Sequence, residues 1–114
     1  MEIDFQEVGI ATNKIDEKLQ LNIFRIIQEQ LSNISKHSKA TKINIKLNGN
    51  ENEVILFISD NGIGCNLNKR NNGIGIKNIK SRAELHQGTA LYISKPGKGY
   101  SLTVRLPMNM NKCE

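Results

Sequence analysis

The sequence predicts a two-layer α/β (α+β) sandwich, in which helices cover one face of a mixed, mostly antiparallel β-sheet. Three features support this fold class: a long segment with helical periodicity, several short segments in which apolar and polar residues alternate, and a second helical segment after a glycine-rich loop. The chain has 114 residues, which suits one domain with its own hydrophobic core. We therefore expect one domain at residues 1–107 and a flexible C-terminal tail at residues 108–114.

The first two predicted elements are an edge strand and a long helix. Ile3, Phe5 and Val8 alternate imperfectly with polar residues, as in a strand at a sheet edge. Asp16 is expected to cap a helix that continues to about Ser38. One face of this helix is an apolar stripe with three- and four-residue spacing, formed by Leu19, Ile23, Phe24, Ile27, Leu31 and Ile34. A second face, centred well away from this stripe, is polar and carries Glu29, Asn33, Lys36 and His37.

A hairpin is predicted after this helix. Ile43, Ile45 and Leu47 alternate with polar residues, which indicates a half-buried strand. Turn residues at 48–52 connect it to a more continuously apolar strand at 53–59. Because that second strand alternates less, we expect it nearer the centre of the sheet.

A second helix and a last hairpin complete the predicted fold. The helix is expected from about Ile74 to His86, with Gly88 as its C-terminal stop. Its apolar side is assigned to Ile76, Ile79, Ala83 and Leu85. Apolar residues on both sides of a turn at 96–99 then predict two strands that end at Pro107.

The composition is that of a soluble globular protein that functions in a reducing cytoplasm. Hydrophobic residues make up 38% of the chain, and no apolar segment is long enough to span a bilayer. The N-terminus lacks the pattern of an export signal, and Cys65 and Cys113 match neither a zinc site nor a disulfide framework. The net charge of +5 is scattered along the chain, so we expect no nucleic-acid partner.

The segment from Asp60 to Asn78 is the strongest candidate for a binding site. A carboxylate at the end of a predicted strand is followed by two glycine pairs, Gly62 with Gly64 and Gly73 with Gly75. Glycines permit a close approach of the backbone to a ligand, and a loop that leads into a helix favours an anion such as phosphate. The pattern therefore suggests a nucleotide site, although ordinary turn glycines would produce the same spacing.

Three motifs in succession resemble the sequence boxes of the GHKL ATPase superfamily, which includes sensor histidine kinases, type II topoisomerases, mismatch-repair ATPases and heat-shock chaperones. These motifs are Glu29-x-x-x-Asn33-x-x-Lys36-His37, Asp60-x-Gly62-x-Gly64 and Gly73-x-Gly75. The segments at 24–43 and 73–88 are similar to sensor kinases whose partner response regulators carry a helix-turn-helix output domain. The resemblance spans about Asp16 to Pro107 and implies a histidine-kinase-like catalytic domain.

The resemblance implies a role for each matched residue. Asp60 would accept a hydrogen bond from the exocyclic amine of adenine, while Gly62 and Gly64 would lie against the base and ribose. Gly73 and Gly75 would place backbone N–H groups on the phosphates, and the segment between the glycine pairs would form a lid. Asn33 would bind Mg²⁺ through its amide oxygen. Glu29 would act as a base or would position a water molecule. Lys36 would contact a phosphate and take part in catalysis, and His37 would also bind ATP.

Two residues depart from the family pattern. Tyr100 follows Gly99 where the family often has Thr, and Cys65 stands where a larger apolar residue is common. The phosphoacceptor histidine of sensor kinases lies on a separate dimerisation domain, whereas His37 and His86, the two histidines of this chain, belong to predicted helices of the catalytic module.

The sequence therefore predicts the ATP-binding catalytic domain of a sensor histidine kinase, with ATP and Mg²⁺ as cofactors. Its expected partners are the dimerisation domain of the parent kinase and, indirectly, a response regulator. The isolated domain is expected to be a cytoplasmic monomer with little activity alone, and the parent kinase could be anchored in the membrane. An anti-sigma-type serine kinase, a non-catalytic ATP-sensing module and, more remotely, a basic nucleic-acid-binding domain are the alternatives.

Overall fold

The computed structural model describes residues 2–9, 15–37, 39–50, 52–63, 74–94 and 99–107. In chain order the elements are β1 (Glu2–Val8), α1 (Glu17–His37), β2 (Lys42–Gly49), β3 (Glu53–Asp60), α2 (Ile74–Leu85), β4 (Thr89–Ser94) and β5 (Tyr100–Pro107). The strands form one sheet in the order β1-β2-β3-β5-β4. The β1–β2 pair is parallel and the other three pairs are antiparallel. The predicted mixed, mostly antiparallel sheet is thus confirmed.

The core lies between one face of the sheet and the two helices. In β3 every second residue is buried, and Val54, Leu56 and Ile58 are completely inaccessible to solvent. They belong to the same apolar cluster as Ile26 of α1 and Ile79 of α2. Since both helices contribute to the cluster on that face, the two-layer prediction is correct. Strand β3 is central, as its less alternating sequence indicated.

Helix α1 begins where the sequence predicted, but its buried stripe is rotated. The Asp16 Oδ1 accepts a hydrogen bond from the Leu19 N–H at 2.8 Å, which confirms the N-cap. Phe24 was placed on the buried face, yet it is 55% exposed, whereas Ile26 and Gln30 are fully buried. At 100° per residue, Phe24 points about 120° away from Gln30. Because the centre of the buried stripe is a polar residue, Gln30, the apolar pattern of the sequence did not show the direction of the stripe.

The left-handed residue that terminates helix α2 is Gln87, one position before the predicted stop at Gly88. Gln87 has a φ of 61°, and the N–H of Gly88 then returns to the Ala83 carbonyl at 2.8 Å. Ala83 and Ile79 are buried as predicted, but Leu85 is 75% exposed. Leu85 is two residues beyond Ala83, about 200° around the helix, and therefore lies on the opposite side.

The strands at the two ends of the sheet order are the most exposed. All seven residues of β1 are exposed, as expected for the predicted edge strand. In β4, Leu91 and Ile93 are 60% and 50% exposed, so the apolar residues of that strand do not all belong to the core. The predicted tail at 108–114 and the predicted lid at 65–72 lie outside the described residues. Within the described residues, neither helix has the length and apolar character needed to cross a membrane.

Candidate nucleotide-binding site

Asp60 is the best-organised polar residue of the predicted site. It is the last residue of the central strand β3 and is only 9% exposed. Its Oδ1 accepts a hydrogen bond from the Gly62 N–H at 2.7 Å, and its Oδ2 accepts one from the Tyr100 N–H at 3.1 Å. Two backbone donors from different segments thus fix the plane of the carboxylate.

Asn61 secures the strand end that carries Asp60. Its side-chain Oδ1 accepts hydrogen bonds from the N–H groups of Thr41 and Lys42, both at 2.9 Å. Its Nδ2 donates to the Thr41 Oγ1, also at 2.9 Å. Asn61 therefore holds the start of β2 against the end of β3. The sequence analysis did not identify this role, although Asn beside a turn glycine is a common signal for side-chain bonds to the backbone.

Gly99 allows the start of β5 to reach Asp60. Its φ is 76°, a left-handed conformation that disfavours residues with a Cβ. A Cβ at this position would overlap the Asp60 carbonyl oxygen and would lie 3.1 Å from the Asp60 Oδ1. Glycine is therefore needed here both for the backbone conformation and for the close approach that brings the Tyr100 N–H onto the carboxylate.

The polar face of α1 is directed towards α2. Asn22 is 6% exposed and donates from its Nδ2 to the Arg82 carbonyl of α2 at 2.6 Å. Glu29 and Asn33 follow Asn22 by seven and eleven residues, so they lie within about 20° of the same direction. Both side chains are partly exposed, and Lys36 is exposed. The structure thus groups these three predicted residues on one side of α1.

An aromatic and amide network connects this helix to Asp60. Gln30 is fully buried, and its Oε1 accepts hydrogen bonds from the Tyr92 hydroxyl at 2.7 Å and from the Asn33 Nδ2 at 3.5 Å. The Tyr92 ring packs edge-on against the Tyr100 ring, with centroids 5.6 Å apart and an interplanar angle of 88°. The Tyr100 N–H in turn binds Asp60. Sequence reasoning identified the two ends of this network and missed Gln30 and Tyr92.

The glycine region is described in part. Gly75 is the second residue of α2, in the first turn, where backbone N–H groups are not used within a helix. The positions of Gly64, Gly73 and the His37 side chain lie outside the described residues. No cluster of three His, Cys, Asp or Glu side chains that could hold a metal occurs in the part of the chain that the structure describes.

A cleft of about 350 Å³ lies between the first half of α1 and the end of α2, apart from the predicted site. Its lining consists of Lys18, Leu21, Asn22, Arg25, Arg82, Leu85 and His86. None of the residues predicted to bind nucleotide or metal contributes to it. The candidate site is thus defined by Asp60, the glycine loop and the polar face of α1, and not by this concavity.

Comparisons with known proteins agree with the motif analysis. Residues 18–110 match the family model described as histidine kinase-, DNA gyrase B- and HSP90-like ATPase. The chain is similar to three bacterial sensor kinases. The signal transduction histidine-protein kinase/phosphatase DegS of Bacillus subtilis is 32% identical over 96% of this chain and 30% of its own length. The sensor protein VraS of Staphylococcus saprophyticus is 37% identical over 84% and 28%. The sensor histidine kinase LiaS of Bacillus subtilis is 34% identical over 95% and 29%.

The same architecture occurs in a solved structure, the histidine kinase domain of the blue-light activated histidine kinase from Erythrobacter litoralis EL346. The TM-score is 0.71 over 97% of this chain and 54% of that domain. The sequence identity is 14%, so this likeness concerns the fold alone. The chain spans about three-tenths of the length of DegS, VraS and LiaS.

Proposed function

Because the chain belongs to the histidine kinase-, DNA gyrase B- and HSP90-like ATPase family, we propose that it is the catalytic domain of a sensor histidine kinase. It binds MgATP and donates the γ-phosphate to a histidine on a separate dimerisation domain. The relatives named as sensor kinases support this choice within a family of several activities. The observation that carries the proposal is the buried Asp60 carboxylate, oriented by two backbone N–H groups at the end of the central strand.

Asp60 selects adenine. A carboxylate accepts hydrogen bonds only, so it pairs with the exocyclic amine of adenine and not with the carbonyl that guanine has at that position. Because Gly62 and Tyr100 hold the carboxylate, its oxygens point in a fixed direction before the nucleotide arrives. Little reorganisation is then needed on binding, which favours affinity. Gly62 and Gly64 border the base and ribose.

The polar face of α1 and the start of α2 hold the phosphates. Lys36 supplies a positive charge on a flexible side chain, His37 a further contact, and Gly73 and Gly75 backbone N–H groups at the helix start. The Asn33 amide suits Mg²⁺, because its Nδ2 is directed to Gln30 and the other end of the amide is an oxygen, the donor type that Mg²⁺ prefers. When bound, Mg²⁺ would neutralise charge on the phosphates.

Phosphoryl transfer needs little covalent chemistry from the domain itself. An imidazole nitrogen of the acceptor histidine forms a bond to the γ-phosphorus while the bond to the β–γ bridging oxygen breaks and ADP leaves. The proton released from the imidazole passes to Glu29, directly or through water. The domain contributes chiefly the position of the nucleotide and the neutralisation of its charge. The isolated chain therefore turns over ATP poorly.

The parent protein places this domain in a two-component pathway. Its partners are the dimerisation domain that carries the acceptor histidine and a response regulator that receives the phosphoryl group. We expect the domain in the cytoplasm, where ATP is available, and as a monomer when isolated. The tail at 108–114 is proposed to lie outside the folded domain.

Calorimetric titration with ATP, ADP and GTP, each with and without Mg²⁺, tests the nucleotide assignment. We expect ATP and ADP to bind and GTP to bind much more weakly, with Mg²⁺ increasing the affinity for ATP. A folded protein that binds none of the three would overturn the proposal.

Incubation with radiolabelled ATP and the dimerisation domain of the parent kinase tests the reaction. Label on that domain that is lost in acid indicates phosphohistidine and supports the kinase assignment. Acid-stable label on a partner serine would indicate a serine kinase instead. Nucleotide binding without transfer to any acceptor domain would indicate an ATP-sensing module.

A further inference from the structure

We infer that Gln30 is a positioning residue for the metal-binding amide of Asn33, and that Tyr92, which packs against Tyr100, holds Gln30 in place. The inference rests on the proposed function, since it assumes that Asn33 binds Mg²⁺ and that Asp60 binds adenine. It extends that function, because Gln30 and Tyr92 belong to none of the motifs that identify the nucleotide site. In the fold, Gln30 and Tyr92 lie between Asn33 at one end of the site and Asp60 at the other.

The position of Gln30 is unusual for a glutamine. It is the central residue of the buried stripe of α1, four residues after Ile26 and four before Ile34, and like both of them it is completely inaccessible. Its Oε1 accepts two hydrogen bonds, whereas its Nε2 is buried and has no partner among the described residues. An apolar side chain would avoid this unsatisfied donor. Gln30 is therefore poorly explained by stability alone.

The hydrogen bond between Gln30 and Asn33 gives the glutamine a role in the site. At 3.5 Å it is long, but it identifies which end of the Asn33 amide is directed to the core. The Nδ2 is directed to Gln30, so the Oδ1 is left for a cation. Without an acceptor at position 30 the amide can rotate, and its NH₂ group can then face the cation instead. Gln30 thus raises the fraction of Asn33 side chains that are ready to bind Mg²⁺.

Tyr92 holds Gln30 in the correct orientation. Its hydroxyl donates to the Gln30 Oε1 at 2.7 Å, a shorter bond than the one from Asn33. This hydrogen bond stabilises the amide orientation in which Oε1 faces both Tyr92 and Asn33. The Tyr92 ring rests edge-on against Tyr100, whose own N–H binds the Asp60 Oδ2. Tyr100 is one of the two residues that depart from the family pattern, and its ring lies between the base end of the site and the metal end.

The double variant Gln30→Met/Tyr92→Phe tests the inference. It replaces the Gln30–Tyr92 pair by apolar groups of similar shape, a change that is often neutral for stability. The Asn33 amide loses its acceptor but is partly exposed, so water can bind the released N–H group. We expect its thermal midpoint to equal or exceed that of the native protein. The ratio of ATP affinities with and without Mg²⁺ should nevertheless fall by about 3–10-fold, the equivalent of one hydrogen bond. Adenosine, which has no phosphate for Mg²⁺ to bind, should bind as before.

The matched control is Gln28→Met, which changes an exposed glutamine of the same helix. It should leave the Mg²⁺ response unchanged. A normal Mg²⁺ response in the double variant, together with its loss in Asn33→Ala, would overturn the positioning role and leave the proposed function intact. A normal response in Asn33→Ala as well would overturn both. A lowered thermal midpoint with a normal Mg²⁺ response would show that the network is merely structural.

Discussion

The two ends of the candidate site are built in different ways. At the base end, Asp60 is buried, both of its oxygens accept backbone hydrogen bonds, and Asn61 joins the adjoining strand ends with three side-chain bonds. At the phosphate end, Glu29 and Asn33 are partly exposed and Lys36 is exposed. The hydrogen bond of Asn33 to Gln30, at 3.5 Å, is longer than either bond to Asp60.

This difference agrees with the ligands proposed for the two ends, adenine at Asp60 and the phosphates with Mg²⁺ at the polar face of α1. A planar base is discriminated by the direction of a hydrogen bond, so its carboxylate benefits from being fixed in advance. Phosphates and a hydrated cation carry charge and retain water, so their ligands can be side chains that adjust when the nucleotide arrives. We therefore expect substitutions at the base end to act on both stability and affinity, and those at the phosphate end to act on affinity alone.

The largest effect is expected for Asp60→Asn. An amide presents one oxygen, so either the Gly62 N–H or the Tyr100 N–H would face an NH₂ group, and the bond to adenine would lose its charge. Loss of a charged hydrogen bond corresponds to about 1.5–3 kcal/mol, so ATP affinity should fall by about 10–150-fold. Calorimetry measures the affinity, and circular dichroism should show that the fold is retained.

Asp4→Asn is the matched control, because Asp4 is an exposed acid on β1. It should change neither affinity nor stability. If Asp60→Asn bound ATP as tightly as the native protein, the assignment of Asp60 to adenine would be wrong.

A pair of glycine substitutions separates the effect of backbone strain on stability from the effect of the Tyr100 N–H on nucleotide binding. Gly99→Ala and Gly9→Ala each place a Cβ on a residue with positive φ, 76° and 71°, and each Cβ would overlap a backbone carbonyl, that of Asp60 or that of Gly49. Both variants should lose about 1–3 kcal/mol of stability in urea unfolding. ATP affinity should fall in Gly99→Ala alone, because that change displaces the Tyr100 N–H from Asp60. Equal affinities in the two variants would show that the base end tolerates such displacement.

The sequence was sufficient where a periodic pattern or a motif determines the answer. The nearly continuous apolar segment at 54–58 predicted the central strand, and Asp16 predicted the start of α1. The errors arose where burial depends on which neighbour covers a face. Phe24 and Leu85 are apolar but lie on the uncovered sides of their helices, since apolar character alone does not determine a direction.

The contacts that organise the site were the least predictable from sequence. Tyr100 binds Asp60 through its backbone N–H, a group that every residue except proline possesses, so residue type carries no signal for it. Gln30 joins residues far apart in the chain, and only the fold brings Tyr92 to its side. The available clue was that Gln30 lies four residues after one buried isoleucine and four residues before another. The binding and catalytic roles stay predictions for every candidate residue: Glu29, Asn33, Lys36, His37, Asp60, Gly62, Gly64, Gly73 and Gly75.

The smallest effect is expected at the phosphate end, for Lys36→Gln. The ammonium is exposed, so its removal should leave the urea midpoint unchanged, and it should cost less than about 1 kcal/mol of ATP binding because water screens the charge. The loss should decrease from ATP to ADP to AMP and should diminish at high salt. Lys18→Gln removes a charge at the other end of α1, more than a Debye length from Lys36, and as the control it should leave the affinities for all three nucleotides nearly unchanged. A loss of stability in Lys36→Gln, or an equal loss for AMP and ATP, would contradict the difference between the two ends, because Lys36 would then belong to the pre-organised part of the site.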